Sequence, residues 1–363
     1  MHRGEIGRRE FDRATLGRGP VAIGRVREAS SVLADGVEQF IFGDVFSGSG
    51  LGARERELLT VAVLAAIGGA DNQLGVHVPA ALVCGSDAEE LIQLCEQIAP
   101  YAGFPRALNA LRAVRAVLEE QGLPLPLPVV EVALDGCTTR ANEVGSGDDG
   151  VVLLHTPGLD RRMWREVIRV LPDDTHAVAP DLRGAGTGVG APAPESLGQM
   201  VDDVIGVMDA CGLARAHVVT QGVSAAIGCA LAARVPDRVT GLGLVGPRVM
   251  MSDLPPVPRD LAAQMSATAL AEDLWAARYA RDRFARCDAA GWDDLRAVLG
   301  SALAQVPAHI PVTVAIGAND LLVDRIWVAE AFGREHVVEV AGAAHLAPLE
   351  VPRACADALG IGV

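Results

Sequence analysis

Hydrophobic and polar positions divide this chain of 363 residues into two differently built halves. Residues 1 to about 122 read as all helix. After SGSGLG at 47–52, the stretch ARERELLTVAVLAAIGG carries apolar residues on most sides, as in a helix buried in a bundle or an oligomer. A second helix follows at once, near DNQLGVHVPAALVCG. Ser86 is expected to cap a third, with Glu89 three residues on completing a capping box. Pro105 opens a fourth, which ends with EEQG at 119–122.

GLPLPLP then alternates proline with leucine, and 123–128 is expected to be an extended, semi-rigid linker. Beyond it, VVEVALDGCTTRANEV reads as a hairpin around Asp135-Gly136. From there strands and helices alternate. VVLLH (151–155) precedes a helix from about Arg161, THAVAP (175–180) precedes one from about Ser196, and VTGLGLVG (239–246) is a further strand. An interrupted helical stretch at about 249–305 reads as a lid. PVTVAIG (311–317) and HVVEVA (336–341) complete the sheet. The order implies a mostly parallel sheet wrapped by helices. The expected organisation is therefore an all-α domain over 1–122 and an α/β domain over 129–363.

One stretch organises the second half: AHVVTQGVSAAIGCALAARVPDRV, residues 216–239. A short apolar strand gives way to a sharp polar turn, then to a small-residue helix closing on Pro-Asp-Arg. This is the strand–turn–helix of a nucleophile elbow, where G-x-S-x-G lifts a strained serine above the sheet. Aligning the apolar run and the PDRV end puts Thr220 at the first glycine, Gly222 at the serine and Ser224 at the second glycine. Glycine takes up the strained angles of such a turn at little cost. The turn is expected to survive, while the acyl-enzyme route goes. A backbone oxyanion hole is retained in this reading, built from the N–H of Val223 at a helix N-terminus and one near Thr156. Thr220, Ser224 and Cys229 are poorly placed to replace the nucleophile.

Composition narrows the chemistry. No apolar run is long enough to span a bilayer, and the charged start MHRGEIGRREFDR has no apolar segment behind it, so a cytoplasmic location is expected. The seven cysteines (84, 95, 137, 211, 229, 287 and 355) form no C-x-x-C pair, which fits reduced thiols rather than a disulfide framework or a zinc site. A net charge of -15 disfavours nucleic acid and anionic membranes as partners. All 31 basic residues are arginine, which excludes Schiff-base chemistry and pyridoxal phosphate with it. No G-x-x-x-x-G-K-[ST] or G-x-G-x-x-G follows a strand, so no nucleotide cofactor is implied. The expected ligand is a small molecule, with no cofactor and no metal.

Four pieces of the helical half are colinear over roughly 35–118: FIFGDVFSGSGL, RERELLTVAVLAA, LGVHVPAAL and APYAGFPRALNALRAV. They resemble the carboxymuconolactone decarboxylase family, within the wider alkylhydroperoxidase-like helical superfamily. The resemblance implies a cofactor-free lyase that takes a carboxylate off an unsaturated lactone, in a pocket at a helical oligomer interface. Losing CO2 leaves a dienolate, which needs a nearby cation or donor and then a proton. His77, the only histidine of this half besides His2, suits the acid role. Arg56 and Glu57 begin the preceding helix and are candidates to tune it or to hold the substrate carboxylate. Tyr101 is a further candidate for substrate binding. A structural histidine and an ion pair at a helix start are the alternative readings of these residues. Gln73 stands where decarboxylases often carry glutamate, and Ala102 replaces a cysteine seen in some relatives. The redox branch needs a C-x-x-C pair, and Cys84 and Cys95 are too far apart in sequence to form one.

Over about 129–363 the chain resembles α/β-hydrolases of the 3-oxoadipate enol-lactone hydrolase and haloperoxidase-like type. LLHTPGLDRRMW looks like the oxyanion loop, APDLRGAGTG like the loop after the next strand, GAND like the acid turn and GAAHLAPLEVP like the histidine loop. The order elbow, Asp320, His345 is the order this fold uses, so Asp320 and His345 map onto acid and base. Two readings follow. In the first, both halves are catalytic, and His345 acts as base on water or on a substrate C–H without a covalent intermediate. Such a fusion suits successive steps on one lactone in aromatic-acid catabolism, or the tailoring of a secondary metabolite. In the second, the hydrolase half is a binding or scaffolding module. A homo-oligomer through 1–122 is expected, because the helix at 54–68 is more apolar than one four-helix unit can bury.

Overall fold

In the computed structural model, which describes residues 3–14, 19–123, 125–156, 158–184, 194–247, 302 and 305–362, the two sequence rhythms become two compact units, Met1–Pro126 and Leu127–Val363. The stretch read as a lid lies almost wholly outside the described residues.

The first unit is helical. Three short helices, α1 (Arg3–Ala14), α2 (Gly19–Ala29) and α3 (Ser31–Asp35), lead into a π-helical segment, Gly36–Val45. Four longer helices follow: α4 (Ala53–Ile67), α5 (Asp71–Val83), α6 (Ala88–Ala102) and α7 (Phe104–Glu120). Val61 and Ala65 of α4 pack with Leu74 and Val78 of α5, Leu91 and Cys95 of α6, and Val114 and Leu118 of α7 in one buried cluster. Leu59, Val63 and Ile67, on other faces of α4, are exposed, as are Val76, Phe104 and Leu108.

The start of α6 corrects the sequence reading by one residue. Asp87, not Ser86, is the cap: its carboxylate accepts the Glu90 N–H at 2.9 Å, and Glu90 Oε2 accepts the Asp87 N–H at 3.1 Å. The sequence S-D-A-E-E offers the same box in two registers, and Asp caps as well as Ser. Ser86 is committed to the end of α5 instead, its N–H donating to Ala81 O at 2.9 Å.

The second unit is a layered α/β structure around an eight-stranded sheet of order β1-β2-β4-β3-β5-β6-β7-β8. Its strands are β1 (Val129–Leu134), β2 (Cys137–Val144), β3 (Asp149–Leu154), β4 (Ala177–Pro180), β5 (Arg215–Gln221), β6 (Val239–Val245), β7 (Val312–Gly317) and β8 (Val337–Val340). The β1–β2 hairpin closes at Leu134 and Cys137, with Gly136 at φ 73°, as the Asp-Gly pair predicts. β2 pairs antiparallel to β4, and the remaining pairs are parallel. Val152, Leu154, Val218, Leu242 and Val314 point into one apolar layer, and Leu153, Val219, Val245 and Ala315 into the other. A sheet covered on both faces needs such near-continuous apolar strands. Among the described residues the helices are α8 (Arg165–Val170), α9 (Leu197–Ala210), α10 (Ala225–Arg234), α11 (Arg325–Phe332), α12 (Ala347–Glu350) and α13 (Pro352–Ala358). Ser196 caps α9, where the sequence placed the start of a helix.

Candidate functional site

Loops at the carboxyl ends of the parallel strands are where open α/β sheets bind ligands, and the singled-out residues of the second half gather there. After β5, a tight turn at Gly222–Ser224 feeds α10. Gly222 has φ +63°, a left-handed angle that glycine adopts freely. A Cβ at this position would stand 2.9 Å from Thr156 Oγ1 and 3.8 Å from His345 Nε2. Thr156 follows β3, and His345 lies between β8 and α12.

His345 Nδ1 is 2.9 Å from Asp320 Oδ2, and both residues are buried. Asp320, in the turn after β7, also accepts the Leu322 N–H at 2.8 Å through Oδ1. A carboxylate at Nδ1 holds the proton there and leaves the Nε2 lone pair on the Gly222 side.

Sequence reasoning missed four residues that build this arrangement. Gln221 Nε2 donates to His345 O at 2.8 Å, tying the turn after β5 to the histidine loop. Gly246, at φ +49° after β6, would with a Cβ come within 3.1 Å of His345 Nδ1 and 3.3 Å of Asp320 Oδ2. A Cβ on Gly317, at the end of β7, would meet Ala344 O at 2.0 Å. Glu350 accepts the Ala344 N–H, its other oxygen is buried without a partner, and burial pushes its carboxyl above the ordinary range. Only Glu350 left a trace, as the acid that closes the histidine loop in HLAPLE.

The other hydroxyl and thiol groups near the turn are occupied or inert. Ser224 Oγ donates to His155 O at 2.6 Å. Thr220 is fully buried, and Cys229 lies inside α10 with burial pushing its thiol up to about 12. Val223, the middle residue of the turn, is buried, and proline at 157 brings no N–H. His155 is held by both ring nitrogens: Nδ1 lies 2.9 Å from Thr156 O, and Nε2 accepts the Leu182 N–H at 2.9 Å. That pattern requires the neutral ring, and desolvation lowers its pKa. Two ion pairs brace the segment after β3, Arg161 with Asp181 and Arg162 with Asp160, each at 3.0 Å.

In the helical unit, His77 Nδ1 on α5 is 2.9 Å from Glu57 Oε2 on α4. Glu57 Oε1 is buried and has no partner. Arg56 points to the preceding loop, donating to Leu51 O at 3.1 Å and Gly48 O at 3.0 Å. Tyr101 is exposed. The structure brings Glu57 and His77 together. Among the described residues, no hydrogen bond or ion pair joins Arg56 or Tyr101 to that pair. Gln73 is exposed on α5.

Among the described residues, no group of three or more His, Cys, Asp or Glu side chains is placed to hold a metal ion. No described helix is long and apolar enough to cross a membrane. The six described cysteines are free thiols.

Comparison with known proteins divides the chain in the same way. The carboxymuconolactone decarboxylase family profile matches residues 32–116, and the alpha/beta hydrolase family profile matches residues 151–358. A Caulobacter segnis protein named as a carbamate hydrolase is 36% identical over 102 residues, 28% of this chain and 38% of its own length. A 4-carboxymuconolactone decarboxylase from Acinetobacter baylyi is 33% identical over 87 residues, 24% of this chain and 64% of its own length. The chain thus spans less than two thirds of either relative. Among solved structures, an esterase from Thermogutta terrifontis superposes with a TM-score of 0.51 at 21% identity, covering 64% of this chain and 97% of the esterase. The enol-lactonase of Burkholderia xenovorans LB400 gives 0.50 at 24% identity, covering 63% and 96%. At those identities the likeness is one of fold.

Proposed function

The chain belongs to the alpha/beta hydrolase family, and from that premise we propose that it is a cofactor-free enzyme whose hydrolase half works through His345 and Asp320 without a serine acyl-enzyme. The carrying observation is the buried His345–Asp320 pair with Nε2 directed at Gly222. In the elbow of this fold, that turn position bears the nucleophilic serine. Glycine there leaves no Oγ to acylate. What remains is a base: Nε2 takes a proton from water or from a substrate C–H, and Asp320 stabilises the imidazolium. Charge developing on a carbonyl oxygen is met by the Val223 N–H, in the turn that leads into α10.

The helical half acts as a lyase in this reading. His77, oriented by Glu57, protonates the dienolate left when an unsaturated lactone loses CO2. Arg56 spends two of its five N–H groups on the 47–52 loop and has others for a substrate carboxylate. Tyr101 lies on an exposed face and contributes from there. A homo-oligomer covers the apolar residues exposed on α4, the substrate is an unsaturated lactone or a related cyclic acid, and the protein works in the cytoplasm without nucleic acid or membrane. The second reading, a non-catalytic binding module, is favoured by the missing side chain at 222. Against it stands a buried acid–base pair that a binding pocket does not need.

The test is a split assay on carboxymuconolactone and on its enol-lactone product. His77→Ala should stop CO2 release and His345→Asn should stop ring opening. Two unaffected reactions would sink the proposal.

A further inference from the structure

Two groups from different loops border the point above Gly222. Thr156 Oγ1 and His345 Nε2 lie 2.9 and 3.8 Å from the place of a Cβ on residue 222. Thr156 is only 8% exposed, and its backbone is pinned because its carbonyl accepts from the Leu159 N–H at 3.1 Å and lies 2.9 Å from His155 Nδ1. Its carbonyl is therefore fixed, and Oγ1 is the side-chain atom nearest the place of a Cβ on residue 222. Among the described residues no neighbouring hydroxyl competes: Ser224 Oγ is bound to His155 O, and Thr220 is sealed beneath the turn. The segment after β3 thus aims one polar side-chain atom at the point where an elbow serine would carry its own.

We propose that Thr156 is a catalytic residue whose Oγ1, together with His345 Nε2, holds the attacking water over Gly222, so that a carboxylic ester or lactone is opened by direct addition of water. This rests on the hydrolytic reading of the His345 site. One hydrogen of the water donates to Nε2 and the other to Thr156 Oγ1, which leaves a lone pair facing the acyl carbon. In the first step the water oxygen bonds to that carbon, its proton passes to Nε2, and the carbonyl π pair moves onto oxygen. In the second, the carbonyl re-forms, the C–O bond to the leaving group breaks, and the leaving oxygen takes the proton back from the imidazolium. Thr156 keeps its own proton throughout. Glycine at 222 is then a requirement, because any side chain there occupies the water's place.

A crystal structure of the unliganded full chain, at a resolution that shows ordered water, tests the geometry directly. A water within hydrogen-bond distance of both Thr156 Oγ1 and His345 Nε2 is expected, and Thr156→Val, which keeps the shape without the hydroxyl, should lose it. A wild-type water bonded to Nε2 but not to Oγ1 overturns the assignment. In solution, with 4-nitrophenyl acetate as probe, Thr156→Val should lower turnover about 10²-fold, as loss of one oriented hydrogen bond does. Thr156→Ser should recover most of it, and His345→Asn should fall to background. If His345→Asn keeps the wild-type rate, or if the wild type is no faster than buffer, the hydrolytic reading fails. If His345→Asn is dead and Thr156→Val unaffected, only the role of Thr156 fails. Fluorophosphonate labelling of Thr156 would make it the nucleophile and overturn the direct-water step.

Discussion

Glu57 Oε2 stands 2.9 Å from His77 Nδ1, with the carboxylate 1% exposed and the imidazole 25% exposed. The same Nδ1-to-carboxylate distance, 2.9 Å, joins His345 to Asp320 in the other half. In both, a buried acid at Nδ1 fixes the tautomer and leaves Nε2 without that partner. A helical bundle and a parallel sheet thus present the same carboxylate–imidazole pairing.

For the helical site, His77→Ala should cut turnover by about 10²–10⁴-fold, the range for one general acid, with the oligomer intact. Carboxymuconolactone decarboxylation followed by CO2 release is the measurement. A well-folded variant with an unchanged rate would return His77 to a structural role.

At the turn after β5, the unmodified protein should not react with a serine-directed fluorophosphonate, whereas Gly222→Ser should be labelled, because its Oγ lies beside His345 Nε2. Serine must accept φ +63°, a strain of about 1–3 kcal/mol, and its Cβ must displace Thr156 Oγ1. The melting temperature should fall, and His345→Asn in that background should abolish labelling. An inert Gly222→Ser protein, alongside a His345→Asn protein with full natural activity, would favour a binding module.

Much of this was legible in the chain. The Asp135-Gly136 hairpin, the parallel strands and the turn at Gly222 follow from local patterns, and the adjacency of Asp320 and His345 from motif order. The cap of α6 was misread because two registers of one box differ only in what the preceding serine's N–H does. Gln221, Gly246 and the approach of the Thr156 hydroxyl were invisible for a different reason. They depend on segments far apart in sequence, as Gln221 and His345 are, meeting at the end of a sheet. No spacing rule records how closely two loops approach.

Acid should weaken the α/β unit through His155 and His217. Burial lowers both pKa values below the imidazole reference of about 6.5. The fold therefore favours the neutral rings: their contribution is complete above that reference and is lost as pH falls through and below it. Protonating His155 also removes the acceptor for the Leu182 N–H. Denaturant unfolding at pH 7.5 and pH 5.5 should show a lower midpoint in acid, and His217→Leu should narrow the gap. An equal gap in the variant would remove His217 from the account.

The apolar residues exposed on α4 motivate a prediction about assembly. Light scattering should find the intact chain oligomeric and residues 127–363 alone monomeric, and Val63→Glu, on an exposed α4 position, should weaken the oligomer. A monomeric intact chain would refute the idea.

The clearance of 2.9 Å at Gly222 also constrains how this site can change by successive substitutions. A serine at 222 and a threonine at 156 compete for the same space, so their effects are not additive. A path that introduces the serine first passes through a strained and crowded protein. A path that first removes the hydroxyl at 156 gives up the group proposed to hold the water before a new one arrives. Each of these two orders is expected to pass through a less stable or less active protein, so positions 156 and 222 are expected to change together.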